Sequence, residues 1–402
     1  MWLKLALRNV LRSPRRTILS LVIIALGAGM LFAVNGFVRY MNGRLTLATI
    51  AQYGHLQIAD ADYWTDAEDR DETLVDPARV GQIAASLQAM PNVVGFAPQL
   101  ALTCQIQKGS ETGLLFAVGV EPRRRIIRSF QIIRGEDLQP DGTGTIVIGR
   151  LLADNLGVGP GDYVTLLIAT VGGSFNTGRL RIVGVFSAFD EVFENQFAYV
   201  PIGTAQMLLN TAGVDKIVVR LSDDSQTDVA AAALRESLDA SGTGLELRTW
   251  EELGTEHQQT KEMFNFIFSA VSLGIFVLVF FSILEVLTMS FMERTREVGT
   301  IRAIGTKRKH ISRLFLTEGI LLGLIGGFLG IFVGVGLGAL VNGSGIAWTP
   351  PGAVNPVPIL VQLAPFGAVV PLLIAMLSTL VSAVFPALHA SRLQVVEALR
   401  SA

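Results

Sequence analysis

The chain has 402 residues, a formal charge of −2, and 50% hydrophobic but only 16% charged residues. A soluble domain carries about 25% charged residues, and here the apolar residues gather into four long runs, which excludes a wholly soluble chain of two or three domains. Residues 42–262 hold 29 acidic and 17 basic side chains, a difference of −12, while the remainder hold 5 and 15, a difference of +10. The basic residues flank apolar runs, where they orient helices, so a nucleic-acid partner is not expected.

In chain order, residues 1–16 come first. Trp2, Leu3, Leu5, Ala6, Val10 and Leu11 alternate with Lys4, Arg8 and Arg12 at near-helical spacing. This fits an amphipathic helix on the inner leaflet, or a cytoplasmic extension of the first span. Residues 17–38 follow as an apolar run. A signal peptide has an apolar stretch of about 7–15 residues and a small-residue cleavage site. This run is longer and ends at Asn35-Gly36-Phe37, so it is expected to remain as transmembrane helix one.

Residues 42–262 read as one α+β domain inserted between helices one and two. Short apolar runs at Ile146–Ile148, Tyr163–Ile168, Leu180–Val185 and Ile217–Leu221 predict strands. Gly172, Gly173 and Gly178 suit a hairpin tip between two of them. Thr227–Asp239 predicts an amphipathic helix with Thr227 as its N-cap. Asp190, Glu191 and Glu194 read as a solvated acidic loop before a strand at Phe197–Pro201. Ser174 lacks the context of a nucleophile elbow, and the four histidines have no ligand spacing. Cys104 is the single cysteine, so no disulfide forms within one chain.

Residues 264–289, 314–340 and 366–385 are long enough to be transmembrane helices two, three and four. The fourth contains Pro371, which a membrane helix tolerates. Lysine and arginine crowd residues 1–16 and the loop 292–313, and the loop 341–365 has neither. Both termini, including the tail 386–402, are therefore expected in the cytoplasm, with residues 42–262 outside. Glu285, inside the second run, is expected to pair with a basic loop residue such as Arg294. Gly326, Gly330, Gly334 and Gly338, with Gly319 and Gly323 before them, allow close helix approach. Packing within one subunit is the expected use.

The loop is richer than a spacer requires. Val298, Ile301 and Ile304 recur every third residue from Glu297 to a break at Gly305, an apolar stripe able to dock into a groove. Glu297 and Arg302 flank the stripe as a polar rim. The loop holds Glu293-Arg294, Arg296-Glu297-Val298-Gly299, Arg302-Ala303 and Gly305, and Glu318-Gly319 opens the next span. Pro386-Ala387 and Val396-Glu397-Ala398-Leu399-Arg400 close the chain. With Gly149–Asp162, these segments resemble the FtsX/MacB family of ABC-transporter permeases. The absence of a fused ATPase, the length and Asn35-Gly36-Phe37 are most similar to its lipoprotein-releasing branch, LolC/LolE.

The resemblance implies a membrane α-helical fold of four spans with a large α+β extracytoplasmic domain. It implies a permease working by mechanotransmission in the bacterial inner membrane, paired with a second permease copy or paralogue. Glu293, Arg296, Glu297, Val298, Gly299, Ile301, Arg302, Ala303, Ile304 and Gly305 would form the coupling element for an ABC ATPase subunit (LolD-like). No Gly-x-x-x-x-Gly-Lys-Ser/Thr occurs in this sequence. No cofactor is expected on this chain, and ATP and Mg are expected on that partner. Gly29, Phe32, Asn35, Met263, Phe264 and Phe268 would face lipid or lipoprotein cargo. Gly172, Gly173 and Ser174 would contact a periplasmic carrier. Two other readings stand beside lipoprotein release. One is MacB-like efflux through an adaptor and outer-membrane duct. The other is FtsX-like control of cell-wall hydrolases. A membrane-anchored enzyme lacks a catalytic cluster to support it.

Overall fold

A computed structural model describes residues 6, 8, 12, 14–65, 73–122, 130–140, 142–188, 191–293, 295–349 and 356–392. The side chains at 255–257, 302 and 389–392 fall outside that description. Most of the expected N-terminal amphipathic helix, and the tail beyond residue 392, lie outside the described residues.

Among the described residues, four helices are long and apolar enough to cross a bilayer: Pro14–Tyr53, Gln258–Glu293, Arg308–Ser344 and Pro365–Leu388. Each contains one of the four apolar runs. The first helix is unbroken for 40 residues, about 60 Å at 1.5 Å per residue, twice the hydrocarbon thickness. The fourth begins with a 3₁₀ turn at Pro365–Ala368 and becomes α-helical over Val369–Arg392. Pro371 therefore sits in the first α-turn, where a missing N–H removes no intrahelical bond. Pro386 lies inside this helix. The proline deprives the Ser382 carbonyl of its helical donor. The Ser382 hydroxyl meanwhile donates to the Phe280 carbonyl of the second span at 2.7 Å.

The membrane unit has its own core. Ile24 and Ala28 of the first span pack with Val279, Ile283 and Leu287 of the second, Leu322 of the third, and Ala375 and Ala383 of the fourth. Without a hydrophobic drive between helices in lipid, close van der Waals approach supplies the cohesion. The third span provides it: Gly326, Gly330 and Gly334 meet Ile24, Ala28 and Phe32 of the first span, and Gly319 and Gly323 meet the fourth. The glycine ladder is thus used within one subunit.

The inserted domain is built on a ten-stranded mixed sheet. Its strands are β1 (Leu56–Asp60), β2 (Val93–Lys108), β3 (Glu111–Val120), β4 (Phe130–Gly135), β5 (Thr145–Gly149), β6 (Tyr163–Ala169), β7 (Phe175–Ala188), β8 (Phe197–Pro201), β9 (Lys216–Leu221) and β10 (Leu245–Thr249). The main path runs β10-β1-β9-β2-β3-β8-β5-β7-β4, and β6 bridges β2 and β7. The β3–β8 and β5–β7 pairs are parallel. The long strand β2 belongs to both ends. Its first half pairs with β9 over a core closed by helices Pro77–Gln88 and Thr227–Ser241. Its second half pairs with β3 and β6 over a core that includes Leu102, Ile106, Leu166 and Ile182.

Two sequence expectations are corrected here. Thr227 is the first helical residue, not the cap, and its hydroxyl donates back to the Asp224 carbonyl at 2.7 Å. Glu194 is not solvated. Residues Glu191–Gln196 form a short helix that turns this carboxylate fully inside. There it accepts from Ser187 Oγ, from the Ala188 amide at 2.8 Å and from Arg150 Nε at 3.1 Å. A buried carboxylate persists only when paired and hydrogen-bonded, and both conditions are met. Asp190 lies outside the described residues.

Candidate functional site

Between the second and third spans the chain is helical to Glu293 and again over Thr295–Ala303, with residue 294 outside the described residues. Gly305, with φ +100°, ends the second stretch; a left-handed position of this kind favours glycine. The Thr306 amide closes the turn on the Ile301 carbonyl at 3.3 Å. The third-span helix starts at Arg308.

The expected apolar stripe divides. Val298 is buried against Phe291, Ile311, Phe315 and Ala387, an apolar pocket in which Phe291 and Phe315 meet edge to face at 5.8 Å. It anchors the loop helix to its own bundle instead of facing a partner, and Gly299 is buried with it. Ile301 and Ile304 point outward, 43% and 82% exposed. Arg296, Ala303 and Gly305 are exposed as well. Ile301 lies in the last turn of the helix and Ile304 in the turn just after it. Arg294 and the Arg302 side chain lie outside the described residues.

The two acidic residues of this segment already have partners. Arg16 forms a two-pronged ion pair with Glu293, and Arg12 reaches Glu297 at 3.0 Å. Both arginines precede the first apolar run. The sequence shows the matching spacing, Arg-x-x-x-Arg at 12 and 16 and Glu-x-x-x-Glu at 293 and 297, but not that the two segments meet. Glu285 is exposed on the second span beside Phe281, Thr288 and Met292.

The residues expected to face cargo separate into two groups. Gly29, Phe32 and Asn35 face inward. A β-carbon on Gly29 would lie 2.9 Å from the Gly330 carbonyl oxygen, Phe32 is buried, and the Asn35 amide donates to the Gly367 carbonyl at 3.0 Å. They hold the first span to the third and fourth, which corrects the expectation of a cargo-facing surface there. The reason is physical: a buried asparagine needs a partner, and glycine at a helix crossing exists to be covered. On the second span Met263 is exposed, and Phe264 and Phe268 are half-buried. Phe264 meets Phe37 edge to face at 6.5 Å. Phe266 and Ile267, not singled out from the sequence, are exposed beside them.

Gly172, Gly173 and Ser174 form the turn joining β6 to β7. Gly173 has φ +78°, and the Thr170 amide donates to the Ser174 carbonyl at 2.7 Å. The tip is braced from below: the Val171 amide donates to the Leu209 carbonyl at 3.1 Å, and Asn176 Nδ2 to the Leu208 carbonyl at 2.9 Å. Beside the tip, Phe175 is 80% exposed and Met207 is exposed too. Away from these surfaces, Cys104 is buried in the sheet core, and that burial pushes its thiol up to about 12.

This architecture matches known families along most of the chain. Residues 17–237 match the model of the MacB-like periplasmic core domain, and residues 269–395 match the FtsX-like permease C-terminal model. The chain belongs to the FtsX/MacB family of ABC-transporter permeases, with an extracytoplasmic domain inserted between its first two spans. It is 25% identical over 326 residues to the macrolide export ATP-binding/permease protein MacB of Hyphomonas neptunium, covering 79% of this chain and 48% of that protein. It is 26% identical over 325 residues to the lipoprotein-releasing system transmembrane protein LolE of Haemophilus influenzae, covering 75% of this chain and 72% of that protein. The periplasmic region of MacB from Actinobacillus actinomycetemcomitans, a solved structure, covers 53% of this chain at 17% identity with a TM-score of 0.40. The chain spans about half or less of the length of the MacB relatives it matches.

Proposed function

We propose that the chain couples ATP hydrolysis on a separate ABC ATPase to movement of its outer domain, and that the movement releases lipoproteins from the inner membrane. The observation that carries the cargo class is the resemblance to the lipoprotein-releasing LolE protein, which extends over three quarters of this chain. The exposed apolar surface at Met263, Phe266 and Ile267, where the second span begins, suits acyl chains. The hairpin tip at Gly172–Ser174, with Phe175 beside it, offers a soluble carrier a braced apolar contact. ATP and Mg sit on the ATPase, which docks on Ile301 and Ile304. Both termini are cytoplasmic, and a second permease, copy or paralogue, completes the assembly.

A second reading, efflux of a small molecule or peptide, is favoured by the several MacB-named relatives. The discriminating experiment is purification of the tagged chain from native membranes, with co-purifying proteins identified. The complex is then reconstituted with a triacylated lipoprotein. Lipoprotein release that needs both ATP and a soluble carrier supports the proposal. Co-purification of a periplasmic adaptor, with no lipoprotein release, supports efflux instead.

A further inference from the structure

Two ion pairs tie the root of the first span to the loop helix. Arg16 holds Glu293, at the end of the described second-span helix, in a two-pronged contact. Arg12, one helical turn earlier, holds Glu297 inside the following helix at 3.0 Å. The two pairs therefore hold the helical stretch that runs into the loop at two levels, Glu293 and Glu297. Arginine suits this role because its planar fork engages a carboxylate through two parallel donors.

Their exposure shows what the pairs are for. Side chains at 68% and 50% exposure in one pair, and 28% and 55% in the other, are well solvated, and such pairs add little stability. Two pairs one turn apart, however, fix direction and register. The loop helix cannot move while both hold, unless the base of the first span moves with it. That span is a single helix to Tyr53, so displacement at its base is carried along its length.

We infer that Arg12 and Arg16 are positioning residues of the transport cycle, making the loop helix and the first-span root one rigid body that passes ATPase-driven motion to the first span. The inference rests on the reading of Thr295–Ala303 as the ATPase-docking element. It assigns the two glutamates to the chain's own first span and leaves Ile301 and Ile304 for the ATPase.

The test uses the full chain with its co-purified ATPase in nanodiscs, in a Cys104→Ala background. Thr243→Cys in the outer domain serves as reporter. Its labelling rate with an impermeant maleimide is read with and without ATP and vanadate. The variant Arg12→Glu/Arg16→Glu should keep the ATPase bound yet lose the nucleotide-dependent change in labelling. Adding Glu293→Arg/Glu297→Arg should restore that change, because the swapped pairs re-form. Separately, Arg12→Cys and Glu297→Cys joined by a short thiol cross-linker should leave the change intact, since the two segments move together. The inference is overturned if the arginine reversal leaves the response unaltered, or if the swap fails to restore it. It is equally overturned if the cross-link abolishes the response. Loss of the ATPase on arginine reversal would mean that Arg12 and Arg16 touch the ATPase itself, which overturns the clamp and leaves the docking reading standing. If the ATPase is instead lost only on changing Ile301 and Ile304, the docking reading is supported whatever the clamp does.

Discussion

Gly330 of the third span lies so close to Ala28 of the first that a β-carbon built on the glycine would stand 2.5 Å from the alanine's own. The Ala25 carbonyl oxygen would be 2.9 Å away. No side chain fits unless the helices separate. Gly330→Leu should therefore destabilise the bundle by about 1–3 kcal/mol or more, the range for overpacking a filled core. Gly336, one helical face away, meets nothing within 4 Å, so Gly336→Ala should be close to neutral. Thermal unfolding of both variants in the same detergent checks the contrast.

The outer domain depends on Glu194 in the same strict way. Glu194→Ala strands the Ala188 amide and the Ser187 hydroxyl without their acceptor, and takes from Arg150 its carboxylate partner. Arg150 is a third exposed and can turn to solvent, so the main cost is the buried donors that lose their acceptor, about 1–3 kcal/mol. Urea unfolding followed by the domain's near-UV signal should show a midpoint shift of that size. Glu191→Ala, at an exposed position of the same helix, should give almost none.

His55 makes the domain sensitive to acid. It is buried, its Nδ1 accepts from the Leu221 amide at 3.2 Å, and burial holds its pKa below the ordinary value of 6.5. In the window below 6.5 the unfolded chain binds the proton that the folded chain refuses, so stability rises with pH there. The outer domain should be at full stability above about pH 6.5, the unperturbed histidine pKa, and should lose stability as pH falls below it. In His55→Asn that part of the slope should be missing, as a pH series of unfolding midpoints will show.

The sequence carried the architecture well and the side-chain environments poorly. Four apolar runs, the charge asymmetry and the glycine spacing are properties of the chain itself, and they place the four helices and the use of the glycine ladder. Glu194 reads as a loop carboxylate because nothing local reveals that Arg150, 44 residues earlier, closes over it. Asn35 reads as a polar residue near open membrane because its acceptor is Gly367, 332 residues away. The stripe Val298, Ile301 and Ile304 has one helical period, and periodicity alone cannot say that Phe291 and Phe315 claim its first member. In each case the missing information was a distant partner.

If an ATPase couples to this permease at the loop helix, the amount of ATPase retained when the tagged chain is purified from native membranes depends on that helix. The wild-type chain is compared with Ile301→Asp/Ile304→Asp. Both isoleucines are exposed, so neither change disturbs the buried anchor at Val298. A few residues dominate such small interfaces, each worth about 2 kcal/mol or more, so retention should fall by at least about tenfold. The variant should still insert and elute as the wild type does. A wild-type chain that carries no ATPase, or a variant that holds it as firmly as the wild type, would contradict the account.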